Sequence, residues 1–269
     1  MGIRILYIAE IVGKAGIWCV KNALPVLKKT EQPDLVIANG DGTTGSWGLG
    51  RQHAGYLHKM GIDLITGGDC IFFKKDLVEG LPVMPYVLRP ANFPAESPGR
   101  GWRYVNAGTA RVAVVSLLGQ AGFSRVHGDN PFALLPGLAD RLHQETPYII
   151  VDFHASATAE KQAFFYHADG KVSAVIGSHG RVQTSDETVF PGGTGVITDA
   201  GRTGSLDSVG GTEPSGKIRE YLTRIQDWSK DAWSRPVLQG VIIDLDDRGR
   251  TVSIRRVCYD CGEPPQTEK

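Results

Sequence analysis

The chain has 269 residues, with 29 Lys+Arg against 29 Asp+Glu, so its formal net charge is zero. A non-specific nucleic-acid binder would need a basic excess, and no apolar stretch approaches the ~20 residues of a membrane span, so both classes are disfavoured. At 41% hydrophobic and 22% charged, the composition is that of an ordinary soluble globular protein.

In chain order, IRILYI (3–8) predicts a buried strand, and Gly13 and Gly16 open a helical pattern running to about Lys29. LVIAN after Asp34 predicts a second strand, Gly48 to Lys59 a helix, DLITGG (63–68) a third strand and 74–80 a short helix. Residues 85–108 are rich in proline and glycine around RPANFP and predict mostly loop with short extended pieces. Strands follow at 110–119, 148–153, 172–177 and 195–201, with helices at 131–144 and 158–168. A further helix is expected over 214–228, with Ser215 at its N-cap. A closing hairpin turns at Asp246-Asp-Arg-Gly249. Strands alternating with helices favour an α/β sandwich with a mixed sheet. The length suits one domain, 1–262, followed by a loose tail at 263–269.

MGIRILYIAEIVG reads as a strand entering a helix rather than a signal peptide, which predicts a cytoplasmic protein. Four cysteines are too few for a disulfide scaffold. Cys258 and Cys261 form a CxxC without the second pair that a zinc ribbon needs, so they read as incidental.

Polar side chains recur where the predicted strands end: Glu10, Asp41, Asp69 with Cys70, His154, His179 and Asp199. In an open α/β sheet, ligands bind beyond the carboxyl ends of the strands. Mixed oxygen and imidazole donors on one rim suit Mn, Fe or Zn. Each position alone is weak: a lone strand-end His is more often structural, and Asp41 beside two glycines is more often a turn residue. Trp47, Phe72 and Phe73 near this rim could stack a base or simply pack.

The segments IVGKAG (11–16), ANG (38–40), RPANFP (89–94), DFHAxATxEK (152–161), VIGSH (175–179), VQT (182–184) and ITDxGxTG (197–204) resemble the YmdB-like bacterial branch of the calcineurin-like metallophosphoesterases. The resemblance covers nearly the whole chain. It implies a four-layer α/β sandwich, two mixed sheets flanked by helices, with a two-metal centre that hydrolyses phosphodiesters of the cyclic-nucleotide kind.

The departures from that pattern are specific. The family's first-strand Asp falls on Glu10, its Glu-Asn pair on Asp41 and Gly42, its Asn-His pair on Asp69 and Cys70, and its last His on Arg181. His154 and His179 match. The resemblance therefore implies one metal rather than two, held by Asp41, Asp69, His154 and His179. Glu10 would be a ligand only of a second metal, which has lost donors at Gly42 and Arg181. A guanidinium cannot be deprotonated and repels a divalent ion. Arg181 is expected to take that metal's space, pairing with Glu10 or Asp41, or to clamp a phosphate bidentately, unless it is simply a solvated arginine on a loop. Cys70 stands where an imidazole would assist catalysis, and a thiol is a poor substitute near neutral pH. A buried thiol that merely packs is the plainer reading.

The expected function is metal-dependent hydrolysis of a phosphodiester or nucleotide-like small molecule with weakened turnover. The alternative is a catalytically silent relative that binds a nucleotide or phosphate in a regulatory role. No membrane partner is implied, and a homo-oligomer is compatible with the chain.

Overall fold

Alternate residues of the strand Ile3–Ile8 face different cores. Leu6 and Ile8 pack under helices, while Ile3, Ile5 and Tyr7 point into a second cluster. This reflects the two-residue period of a strand buried on both faces. The computed structural model describes residues 2–227 and 230–263; residues 264–269 of the expected tail lie outside the described residues.

The elements run β1 (Ile3–Ile8), β2 (Glu10–Ile11), α1 (Gly13–Glu31), β3 (Leu35–Asn39), α2 (Arg51–Lys59), β4 (Leu64–Thr66), α3 (Lys75–Gly80) and β5 (Val87–Leu88). They continue with β6 (Trp102–Ala107), β7 (Ala110–Leu118), α4 (Pro131–His143), β8 (Tyr148–His154), α5 (Thr158–Ala168), β9 (Ala174–Ser178), β10 (Thr188–Val189) and β11 (Gly195–Ile197). Last come β12 (Arg202–Ser205), α6 (Pro214–Thr223), β13 (Pro236–Leu245) and β14 (Thr251–Asp260).

One sheet has the order β2-β12-β13-β1-β3-β4-β5, with β14 also paired to β13; the other has β10-β11-β9-β8-β7-β6. Both are mixed. β1, β3, β4 and β5 are parallel while β13 runs against β1, and β7, β8, β9 and β11 are parallel between antiparallel β6 and β10. Three apolar clusters separate four layers. Trp18, Leu24 and Leu57 of the first helices cover one sheet. Ile5, Ile37, Val112 and Ile150 fill the space between the sheets. Leu135, Leu142 and Phe164 of α4 and α5 cover the outer face of the second sheet. The four-layer α/β sandwich, two mixed sheets flanked by helices, is therefore the observed architecture.

Several local expectations need correction. The 85–108 segment contains a full six-residue strand, β6, because it pairs along its length with β7. Another strand, β12, comes after the ITDAG turn and was hidden by its short polar sequence, RTGS. Ser215 does not cap α6. Glu213 occupies that position with Pro214 just inside, where the fixed proline φ suits a first helical residue. That helix also stops at Thr223, with Arg224 in the left-handed conformation.

Candidate metal centre and cleft

The carboxyl ends of the parallel strands in both sheets converge on one rim. β1 leads to Glu10, β3 to Asp41, β4 to Asp69 and Cys70, β8 ends at His154, and β9 leads to His179. His154 closes a strand in which Ile149, Val151 and Phe153 face the helices, so Asp152 and His154 face the space between the sheets.

Three ligand atoms meet here. His154 Nε2 is 2.9 Å from Asp69 Oδ1 and 3.2 Å from His179 Nδ1, and His179 Nδ1 is 3.4 Å from the same Asp69 oxygen. The atoms of Asp69, His154 and His179 lie within 4.8 Å of one another, a donor set suited to a divalent ion. Asp41 belongs to an overlapping group with Asp69 and Cys70. Its carboxylate accepts from the backbone N–H groups of Gly68 (2.6 Å) and Cys70 (2.9 Å), with His154 Nε2 3.7 Å away. Gly68 is required at this point, because a Cβ there would meet the His154 ring at 2.2 Å.

The charges are tightly interlocked. Burial drives Asp41 up to about 7 against the pull of His154. Burial opposes the charged form of Asp69 too, but hydrogen bonds from His154 and His179 bring it well below the usual carboxylate range. Burial also works against a charged His154. The Asp69 hydrogen bond and the Asp41 and Glu10 charges overcome it and hold the ring at about 9. Such a ring carries a proton where a metal would otherwise sit.

The other half of the rim is arranged differently. Arg181 donates to Glu10 Oε1 from Nε (3.0 Å) and Nη2 (2.7 Å), to Ser46 O from Nη2 (2.9 Å) and to Gly210 O from Nη1 (3.1 Å). Glu10 is 1% exposed, and its second oxygen is buried without a hydrogen-bond partner. A Cβ on Gly42 would lie 2.8 Å from Arg181 Nη2 and 2.9 Å from Glu10 Oε1. Of the two partners anticipated for Arg181, the geometry selects Glu10. It does not provide the bidentate phosphate clamp, since four of the five guanidinium N–H groups are already directed at Glu10, Ser46 and Gly210.

Cys70 is buried, and its thiol donates to Asp69 Oδ2 at 3.5 Å. Burial and the neighbouring Asp41 and Asp69 charges push its pKa far up, so it stays protonated. Asp199 is not on the rim. It forms a buried 2.9 Å ion pair with Lys161 and accepts from Gly180 N at 2.7 Å. That contact steadies the turn carrying His179 and Arg181, both at positive φ (88° and 55°). Non-glycine residues adopt such angles only where the surroundings enforce them.

The motif residues not visible as site residues build the rim's walls. Glu160 accepts from Gln120 N (2.6 Å) and Ala121 N (3.1 Å), and Asn92 is bound to Leu118 and Asp129. Together they fix the loop that sets Phe123 against both histidines, 5.0 Å from the His179 ring. A cleft opens outward from Asp69 and His179. Its two lobes, of about 440 and 610 Å³, share Trp47 and Lys217. Trp47 and Phe73 line it, whereas Phe72 packs against Phe93 beside the core. Trp47 lies beneath two cations, Arg181 at 5.5 Å and Lys217 at 5.7 Å. Phe123, Lys217, Asp152 and Ser178 were not legible as site residues in the sequence. The signal for Asp152 was a charged residue inside the otherwise apolar run YIIVDFH.

The YmdB-like protein family matches residues 6–257. This chain belongs to that family. The YmdB-like chain is 37% identical over 255 residues to the 2′,3′-cyclic-nucleotide 2′-phosphodiesterase of Bacillus subtilis, covering 94% of this chain and 96% of that one. It is 32% identical to a putative phosphatase/phosphodiesterase of Mycoplasma genitalium, covering 90% of this chain and 88% of that one. Among solved structures, a phosphatase from Mycoplasma pneumoniae superposes with a TM-score of 0.88 at 30% identity, covering 98% of this chain and 95% of that one. A 5′-nucleotidase precursor from Thermus thermophilus, at 13% identity and TM-score 0.59, shares the fold. Membership implies a divalent metal, and the donors Asp69, His154 and His179 fit one. The Glu10 side does not fit a second: residue 42 offers no side chain, and the Arg181 cation already lies on the Glu10 carboxylate. Among the described residues, no helix is long and apolar enough to cross a membrane.

Proposed function

We propose that this chain hydrolyses a phosphodiester of the cyclic-nucleotide kind at a centre holding one divalent metal, Mn, Fe or Zn. Asp69, His154 and His179 would hold it, with Asp41 alongside. The single observation that carries this reading is the asymmetry of the rim: three ligand atoms converge on one side, and an Arg181–Glu10 pair occupies the other. The relative named for 2′,3′-cyclic nucleotides supports the substrate class. A bound metal supplies Lewis-acid polarisation of the phosphoryl group.

The chain's own residues supply the rest. Arg181 contributes a fixed positive charge that no pH change removes. Arg224 lines the cleft and draws anionic substrate toward it, beside Lys217, which is paired with Glu220 at 2.8 Å. Phe123 shields the histidines, and the Trp47 and Phe73 rings offer faces to a base. Cys70, held protonated, gives no efficient proton relay, and lack of a general acid typically costs ~10²–10⁴-fold. Turnover is therefore slow. The zero net charge fits a small phosphodiester rather than a nucleic-acid polymer, and the chain is read as one cytoplasmic domain.

The test is hydrolysis of 2′,3′-cyclic nucleotides and an aryl phosphodiester with Mn, Fe and Zn, beside metal analysis of protein purified without chelator. The expected result is slow turnover, abolished by His154→Ala, with one metal per chain. Two tightly held metals would overturn the single-metal centre. Absence of turnover with every metal would overturn the enzyme in favour of a binding protein.

A further inference from the structure

Asp152 lies at the middle of a buried polar network that joins the two sheets directly beneath His154. Its Oδ2 accepts from Tyr7 Oη (2.7 Å), Asn39 Nδ2 (2.9 Å) and Thr66 Oγ1, all from the first sheet. Its Oδ1 accepts from Ser178 Oγ at 2.6 Å. Ser178 Oγ is also 2.9 Å from His154 Nδ1. Tyr7, Asn39, Thr66 and Asp152 are all fully buried.

The protons in this network can be assigned by elimination. A hydroxyl has one proton and a carboxylate only accepts, so Ser178 gives its proton to Asp152. The contact between Ser178 and His154 then needs its proton from the ring, which makes Nδ1 an N–H. Nε2, facing Asp69 and His179, is left as the nitrogen able to ligate. The Asn39 amide is oriented independently: Asp41 N donates to its Oδ1 at 3.0 Å, which turns its nitrogen onto Asp152. Strand register makes the Ser178 relay available, because His154 and Ser178 are direct partners across β8 and β9.

We propose that Asp152 is a positioning residue that fixes the tautomer of His154 through Ser178, so that Nε2 is presented for ligation. This rests on the reading of His154 as a metal ligand. Partners behind a ligating histidine commonly change metal affinity by ~10–100-fold when removed.

Substitution by the isosteric amide gives a directional test. In Asp152→Asn, three donors still point at the Oδ2 position and hold the carbonyl oxygen there. The new NH₂ must then face Ser178, whose hydroxyl turns its proton onto His154 Nδ1. The ring is forced into the Nε2–H form, the reversal expected when a carboxylate orienting an imidazole becomes an amide. The experiment records ¹⁵N-histidine NMR spectra and titrates metal-stripped protein with Zn²⁺. Wild type should show a slowly exchanging His154 Nδ1–H in the Zn²⁺-loaded state. Asp152→Asn should lose it and bind Zn²⁺ ~10–100-fold more weakly, and Ser178→Ala should weaken binding similarly. Tyr7→Phe, which removes a donor from the same carboxylate but leaves the relay intact, should keep both the resonance and the affinity. If Asp152→Asn does not fold, the Ser178→Ala and Tyr7→Phe pair still decides. Wild type without the Nδ1–H resonance, or Ser178→Ala with unchanged affinity and tautomer, overturns the proposal. Unchanged Zn²⁺ binding by His154→Ala overturns the ligand assignment, while the resonance still decides the tautomer separately.

Discussion

Gly42 and Arg181 depend on each other: the guanidinium occupies space that any side chain at residue 42 would enter, with Nη2 2.8 Å from the site of its Cβ. The Arg181–Glu10 pair and the glycine beside it therefore share one space and act as a unit.

The first prediction rests on that dependence. Gly42→Asn alone should destabilise the protein by about 1–3 kcal/mol through overpacking. Combined with Arg181→His, it should cost less than the sum of the two single changes, because neighbours sharing a site do not add. Urea unfolding of the four proteins measures the coupling. The double variant should also gain metal beyond one per chain, and additive costs with unchanged metal content would refute the dependence.

Arg181→Ala should be more damaging than its place on a turn suggests. It leaves Glu10 buried without a cation, and breaking a buried pair by removing one partner costs about 3–5 kcal/mol. Glu10→Gln with Arg181→Ala should recover part of that loss. The readout is the unfolding midpoint, and a single variant as stable as wild type would sink the prediction.

Lys161→Met should lower stability by a similar ~3–5 kcal/mol, since it strands Asp199 in the interior. It should also weaken Mn²⁺ binding, because Asp199 holds Gly180 N beside His179. Loss of stability with unaltered metal affinity would show that the turn is fixed by other contacts.

Thiol labelling should separate the cysteines. Cys258 is exposed and should react with an aromatic disulfide reagent in the native state. Cys70 and Cys19 are buried; burial pushes the Cys70 thiol up, and the contact with Cys261 together with burial pushes the Cys19 thiol up, so both should react only on unfolding. Rapid native labelling of Cys70 would contradict its assignment as a protonated packing residue.

Acid should release the segment beyond Arg181. Burial opposes ionisation of Asp186, but hydrogen bonds from Thr184 and Thr198 hold its carboxyl below the usual range. A depressed carboxylate contributes stability above its unfolded pKa of about 4, and that contribution fades as pH falls through the folded value. Asp186→Asn should therefore be less stable than wild type at pH 7, by a margin that shrinks as pH falls below about 4. A constant difference across that range would rule out the ionisation.

Much of this molecule was legible in its sequence. The apolar runs IRILYI, ARVAVVSLL and YIIVDFH became central strands because a strand buried on both faces must be apolar throughout. Ligand-type residues just past those runs marked the rim, since parallel strands deliver the residues at their carboxyl ends to one edge. β6 and β12 were not legible, because their strand character comes from pairing rather than composition. The partner of Arg181 was decided only by the tertiary structure. Glu10 and Asp41 were equal candidates on charge, but Gly42 opens the space on the Glu10 side, while Asp41 is taken up by the backbone of residues 68 and 70. The role of Asp152 was likewise hidden. A buried carboxylate gains meaning only from the donors around it, and on the first sheet these lie 86 to 145 residues away in the chain.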